Sequence, residues 1–318
     1  MRRRLFVVAQ VVLAIAVLGL AGWTIARQWA DMRALPVRID PTWYVMIASL
    51  LPPLLAYGTL IQLWRTILAA WGYPTPALPA ARIWFVSSLG RYVPGRLWQL
   101  GAMGVMLQRR GVPAAVSLGS ALLANIISIV TGLAVVLAVG PNAFGAAGVT
   151  GPALRAIAAA VAIATIAILL VPPALPAIGH LVERLTARSF AIPSLPTRTL
   201  AVATAEAAVA WILLGLGFHL LAASLLGNAT GASTTYISVF VLSYLVGFLV
   251  LIAPGGIVVR EAALVAGLTS AGVATLAEAT VLAVVSRLWL TLLEVTPGAC
   301  LLVRPAIRRS MKMTIDGS

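Results

Sequence analysis

Apolar runs long enough to cross a bilayer recur along the chain, at residues 5–26, 42–64, 114–139, 153–173, 199–226 and 276–303. A helix rises about 1.5 Å per residue and a hydrocarbon core is about 30 Å thick, so each run predicts one spanning helix. Two further apolar regions are interrupted. Residues 80–110 are hinged at Pro94-Gly95, and residues 236–271 at Pro254-Gly255-Gly256. Proline lacks the amide hydrogen that a helix needs and its ring collides with the preceding turn, so neither region continues as one helix. Each predicts two short helices joined at the break, the pattern of a re-entrant hairpin. The expected fold is an all-α polytopic membrane protein with six spanning helices and two re-entrant helical hairpins.

Composition supports this class and removes others. Of 318 residues, 61% are hydrophobic and 9% charged, with a mean hydropathy of +1.05; a soluble domain carries about 25% charged residues. The formal charge of +14 is not the footprint of a nucleic-acid binder, because the arginines lie at the ends of apolar segments and no soluble stretch is long enough to form a binding domain. Cys300 is the only cysteine, which excludes an intramolecular disulfide or a cysteine metal cluster. His180 and His219 are too few and too far apart for a histidine metal site. No metal or other cofactor is expected. The run after Met1-Arg2-Arg3-Arg4 is longer than the apolar part of a cleaved signal and reads as an anchor.

Loop charge orients the spans. Arg2 to Arg4, the stretch from Arg65 to Arg82, Arg109 with Arg110, the stretch from Arg184 to Arg198, and that from Arg304 to Lys312 are basic, whereas 140–151 and 227–235 carry no charge. Basic loops stay in the cytoplasm. All of them do so if both hairpins return to the face they entered from, which places both termini on the cytoplasmic side of the cell (inner) membrane. The 27–41 loop is the misfit: Arg27, Arg33 and Arg38 lie outside, partly balanced by Asp31 and Asp40. The first hairpin then dips in from the cytoplasm and the second from outside. Two broken segments of opposite orientation are the mark of an inverted repeat, here 42–139 and 199–303 within one membrane domain, 1–318. Each break is followed, about 17 residues on, by a Gly-Val pair, Gly111-Val112 and Gly272-Val273.

A helix that restarts inside the membrane presents unpaired N–H groups and about half a positive charge, a ready site for an anion. Arg91 and Arg96 flank Pro94-Gly95, and Arg260 follows Pro254, Gly255 and Gly256 by about a turn. Arginine suits a phosphate, since its planar fork engages two oxygens at once. Arg91 and Arg96 have a plainer alternative, snorkelling to the headgroups. Glu261 points roughly 100° away from Arg260 on a helix, so the two cannot both face lipid. Arg287 and Glu294, a heptad apart, share a face of the last span; Arg287 either contacts ligand or pairs with Glu261. Glu206 and Glu294 are the candidates for proton coupling. His219 is some 140° around the helix from Glu206, so the two form no dyad. Trp23, Trp29, Trp43, Tyr44, Trp71 and Tyr73 read as interfacial belts.

The strings Leu-Gly-Arg-Tyr-Val-Pro-Gly-Arg-Leu-Trp from Leu89, Arg110-Gly111, Ala-Pro-Gly-Gly-Ile-Val-Val-Arg-Glu-Ala-Ala-Leu from Ala253, and Ser286-Arg287 together resemble the lysylphosphatidylglycerol synthase transmembrane family, also called the flippase-like domain family. The resemblance covers nearly the whole chain. Val258 departs from it, where the family more often has glycine. The resemblance implies a lipid translocator, moving aminoacylated phosphatidylglycerol or, in other relatives, serving glycosyltransferases that use polyprenyl-phosphate carriers. In multidomain relatives a separate soluble unit attaches the amino acid, so the family name is not read as an activity of this chain. An enzyme is not expected: the membrane segments hold no His-Asp-Ser grouping, no closely paired carboxylates and no metal-ligand cluster. The expected cargo is an anionic or aminoacylated phospholipid or a lipid-linked phosphate. The competing readings are an accessory or scaffold protein for a lipid- or glycan-modifying enzyme partner, and a small-solute secondary transporter.

Overall fold

The computed structural model describes residues 41–89, 97–140, 151–153, 155–165, 195–227, 229–249 and 259–315. These residues form helices and turns, with no strand among them. In chain order the helices are α1 (Trp43–Ala48), α2 (Leu51–Ala70), α3 (Ala77–Ser88), α4 (Leu97–Gln108), α5 (Ala114–Val139), α6 (Thr197–Leu226), α7 (Ser233–Leu249), α8 (Val259–Ser270) and α9 (Leu276–Ile315). A short apolar helix, Gly151–Thr165, falls between α5 and α6 in the sequence.

Four of the expected spans are helices long and apolar enough to cross a membrane: Trp43–Ala70, Ala114–Val139, Thr197–Leu226 and Leu276–Gly298. The expected span at 5–26 lies outside the described residues, and that at 153–173 is described only to residue 165. The first of the four has a turn at Ser49 and Leu50. The Ser49 hydroxyl donates to the Met46 carbonyl at 2.6 Å, and Pro52 and Pro53 follow, which offer no N–H to carry a helix ladder backward.

Two details differ from the sequence reading. Helix α2 does not stop at residue 64 but continues through Arg65 to Ala70. The Arg65 side chain reaches past the helix end, its Nε donating to the Thr75 carbonyl at 2.8 Å, so a charge that reads as loop sits on a helix. Trp71, read as an interfacial residue, is only 6% exposed and packs against Gly119 on α5.

Helices α2 and α6 form the broad central seam, and they run antiparallel. The Thr42 amide donates to the Ser224 carbonyl at 2.8 Å, Pro53 lies on Gly217, and the Thr66 hydroxyl faces the Glu206 carboxylate. Glycine makes these crossings close. A Cβ on Gly217 would sit 2.7 Å from Pro53 Cδ, one on Gly215 2.7 Å from Ile237 Cα, and one on Gly267 2.6 Å from Val239 Cγ1. Apolar side chains gain little by leaving lipid, so small residues that let backbones approach supply the packing attraction. Trp64, Phe218, Tyr236 and Phe240 fill the interior, with Phe218 stacked on Phe240 at 4.7 Å and the Trp64 Nε1 donating to Ser120 Oγ at 3.1 Å.

Around the seam, α2 packs on α3 and α5, α3 on α4, and α4 on α5; likewise α6 packs on α7 and α9, α7 on α8, and α8 on α9. The two groups are joined by α2 on α6, by α5 on α6 and α7, and by α3 on α9. Helix α5 starts beside the end of α2, where Ser120 meets Trp64, and ends beside the start of α7, where Gly140 meets Ser238. The α3–α4 segment thus begins and ends at the end of the bundle where α2 finishes, and α7–α8 begins and ends at the opposite one.

Helices α7 and α8 lie antiparallel, Val239 against Gly267 and Gly247 against Arg260. Their outer ends are tied where Thr230 Oγ1 donates to the Val273 carbonyl at 3.1 Å and Tyr236 Oη to the same carbonyl at 3.3 Å. The two Gly-Val pairs are helix stops of one design. Gly111 (φ 83°) and Gly272 (φ 67°) take the left-handed conformation, and the following valine amides donate back to the Leu107 and Leu268 carbonyls at 3.3 and 3.2 Å. Glycine is used there because a Cβ resists positive φ.

The tie between 230 and 273 makes a topological prediction. In a Cys300→Ser background, single cysteines placed in 229–235 and in 271–275 should react with an impermeant maleimide from the same face of sealed vesicles. Labelling of the two loops from opposite faces would contradict the antiparallel α7–α8 arrangement.

Candidate functional site

Helix α8 starts with Val259-Arg260-Glu261, and it is the crossing of α7 that decides where Arg260 goes. Gly247 has no side chain, so α7 approaches until a Cβ there would lie 2.6 Å from Arg260 Cβ and 3.3 Å from its Cα. The arginine side chain then lies along α7. Its Cζ is over the Phe240 ring at 5.4 Å and over the Tyr244 ring at 5.5 Å, residues one helical turn apart and so on one face. Nη2 reaches Ser286 Oγ on α9 at 3.4 Å, a long contact. Nε is sealed from solvent with no hydrogen-bond partner.

Glu261 turns the other way, as the roughly 100° step along a helix requires. It meets Arg287 on α9, Nη1 to Oε1 2.7 Å, each side chain 19% exposed. One of the two readings left open for Arg287 is therefore seen: it pairs with Glu261. Arg287 and Glu294 share the α9 face but have different partners. Glu294, 4% exposed, accepts a hydrogen bond from Tyr57 Oη at 2.8 Å. Tyr57 in turn packs edge-on against Phe85 of α3 at 5.7 Å, so this carboxylate joins α9 to α2 and α3. The charges of Glu261, Arg287 and Glu294 all act on Arg260, yet none of the carboxylates pairs with it among the described residues.

The sequence-derived site residues divide as follows. Arg260, Glu261 and Arg287 come together where α7, α8 and α9 meet, and Glu294 lies within electrostatic reach of Arg260 but is bonded to Tyr57 of α2. Arg91, Pro94, Gly95, Arg96, Pro254, Gly255 and Gly256 lie outside the described residues. Glu206 does not join the cluster: it sits on the α2–α6 seam, where its carboxylate lies 3.3 and 3.4 Å from the Thr66 hydroxyl. His219 is also apart, its ring 4.9 Å from that of Tyr236 and its Nδ1 buried without a partner. Sequence reasoning missed Phe240, Tyr244, Gly247 and Tyr57. The first three do carry a signal, two aromatics at helical spacing followed by a glycine within a turn, but that signal is common in membrane helices.

Such a constellation offers a half-buried guanidinium whose Nε is sealed without a partner, beside a carboxylate whose charge is already met. It can bind an anion with two acceptor oxygens, and it holds neither a nucleophile poised next to a base nor a metal-ligand set among the described residues. In comparison with known proteins, residues 7–298 match the family described as the lysylphosphatidylglycerol synthase TM region. No curated protein matches the chain.

Proposed function

The chain belongs to the lysylphosphatidylglycerol synthase TM-region family, and from that premise we propose that it is a lipid translocator, carrying a phosphate-bearing lipid headgroup between leaflets along a path marked by Arg260. The observation that carries this reading is Arg260 itself. A charge at bilayer depth costs several kcal/mol, roughly 2.5–3.5 on the insertion scale, and is normally offset by a carboxylate or by water. Here the adjacent carboxylate is taken by Arg287, and the guanidinium keeps a buried, unpartnered Nε. A phosphodiester would supply the two oxygens that the planar fork lacks.

The packing pattern supports the transport reading. If 42–139 and 199–303 are inverted copies, the helices paired across the pseudo-twofold axis should run antiparallel, and contacts within one half should recur in the other. The antiparallel α2–α6 seam, the recurring neighbours and the matched glycine stops fit that scheme. Helices α3, α4 and α8 have 12 residues each, about 18 Å at 1.5 Å per residue. That is too short to span, and it suits re-entrant hairpins that turn back within the membrane. In this scheme both termini face the cytoplasm, the protein resides in the cell membrane, and the halves rock about the α2–α6 seam to expose Arg260 to each leaflet in turn.

The test is reconstitution in vesicles carrying fluorescent phosphatidylglycerol, with a membrane-impermeant quencher reporting which leaflet holds it. The protein should accelerate exchange, and Arg260→Lys should lower the rate about tenfold while expression and thermal stability stay near the parent's, because lysine keeps the charge but not the fork. A lysine variant as active as the parent would reduce Arg260 to a point charge or an anchor.

A further inference from the structure

We infer that Phe240 and Tyr244 take the place of a counter-ion for Arg260, holding its charge inside the membrane while leaving its Nε–H unspent for ligand. The inference rests on the reading of Arg260 as a phosphate-binding group and adds the two residues that make it usable.

A buried arginine is usually neutralised by a carboxylate, which accepts two of its N–H groups and so occupies the very edge a phosphate needs. Aromatic rings stabilise a cation differently. The negative face of the ring attracts the charge without accepting an in-plane N–H. Around Arg260 the arrangement follows the second plan. Cζ lies over both ring faces at 5.4 and 5.5 Å, and Nε is left without a partner. The Ser286 hydroxyl is at 3.4 Å from Nη2, a long contact. The nearest carboxylate in sequence, Glu261, is held by Arg287 at 2.7 Å, and Glu294 is held by Tyr57 at 2.8 Å. Both acids are thereby kept from closing on Arg260.

The rings are themselves positioned. Phe240 is fully buried and stacked on Phe218, and Tyr244 packs edge-on against Trp211 at 5.5 Å, whose Nε1 is anchored to the Ser128 carbonyl at 2.7 Å. The guanidinium is thus braced from α5, α6 and α7 together, and lysine, with no flat face, could not use the same support. Phe240 and Tyr244 are positioning residues, acting through Arg260.

The test changes the ring's electrostatics at constant shape. Tyr244→Phe is followed by replacement of that position with mono-, di- and trifluorophenylalanine, each made in the parent chain and in Arg260→Gln, and the probe is dihexanoylphosphatidylglycerol binding to the purified full-length protein in detergent. Fluorine withdraws charge from the ring face, so affinity in the Arg260 chain should fall stepwise, about tenfold by the trifluoro ring. In the Arg260→Gln chain the series should be flat. A flat series in both chains, or an equal slope in both, overturns the inference and leaves the rings as packing. If Arg260→Gln binds the probe as tightly as the parent, the phosphate reading of Arg260 has failed, an outcome distinct from a ring effect that is merely absent. Phe240→Tyr, which retains a ring face, should preserve binding within about twofold.

Discussion

Replacing Gly247 by leucine should abolish lipid exchange and lower the thermal stability of the purified protein by several degrees. At this position even a methyl group would approach Arg260 Cβ to 2.6 Å and its Cα to 3.3 Å. Those neighbours are helix backbone and the first side-chain carbon, which cannot swing away as a flexible tip could. Helices α7 and α8 must therefore separate, and overpacking of this kind costs about 1–3 kcal/mol or more. Separation also lifts the guanidinium off the Phe240 and Tyr244 rings, so transport should fall further than stability alone accounts for. Gly247→Ala should show the same direction with a smaller effect. The measurements are fluorescent lipid exchange in vesicles and a thermal melt in detergent; parent-like exchange by the leucine variant would mean that the α7–α8 crossing is not needed for the site.

The second large effect is expected at the Glu261–Arg287 pair. Removing one partner of a buried, hydrogen-bonded pair strands the other charge and costs about 3–5 kcal/mol, whereas removing both leaves nothing uncompensated. With both side chains about four-fifths buried, the single variants Glu261→Gln and Arg287→Gln should lie toward the lower end of that range. The double variant should be more stable than either. In Arg287→Gln, Glu261 loses its tie to α9 and can turn toward Arg260, so lipid binding should weaken although the arginine is untouched. Cargo choice gives a further readout. If Glu261 met the amino group of an aminoacylated lipid, Glu261→Gln would impair that cargo far more than a polyprenyl phosphate. The observed pairing with Arg287 predicts equal loss for both. A thermal melt of the four proteins of the cycle and vesicle assays with the two lipids decide these points.

Much of the architecture was written in local chemistry. The apolar runs that became α2, α5, α6 and α9 could be read as membrane-crossing helices because about 20 apolar residues in succession can satisfy their backbone in a bilayer only by coiling into a helix. Gly111-Val112 and Gly272-Val273 mark helix ends because a left-handed cap favours glycine wherever it occurs. The charged positions Arg260, Glu261, Arg287 and Glu294 were conspicuous for the same reason: charge in an apolar stretch is too costly to be incidental. What the residues could not disclose is which charge meets which. Glu261 adjoins Arg260 in the chain yet pairs with Arg287, because consecutive residues on a helix diverge while α9 happens to pass beside one of them. Glu294 shares a helix face with Arg287 yet bonds to Tyr57, a residue in the other half of the chain. Trp71 has the composition of an interfacial residue, and only the approach of α5 at Gly119 buries it. Periodicity and charge are properties of single segments and so can be read along the chain; partners are set by how helices cross, and at Gly217, Gly247 and Gly267 the crossing depends on an absent side chain whose neighbour only the folded protein supplies.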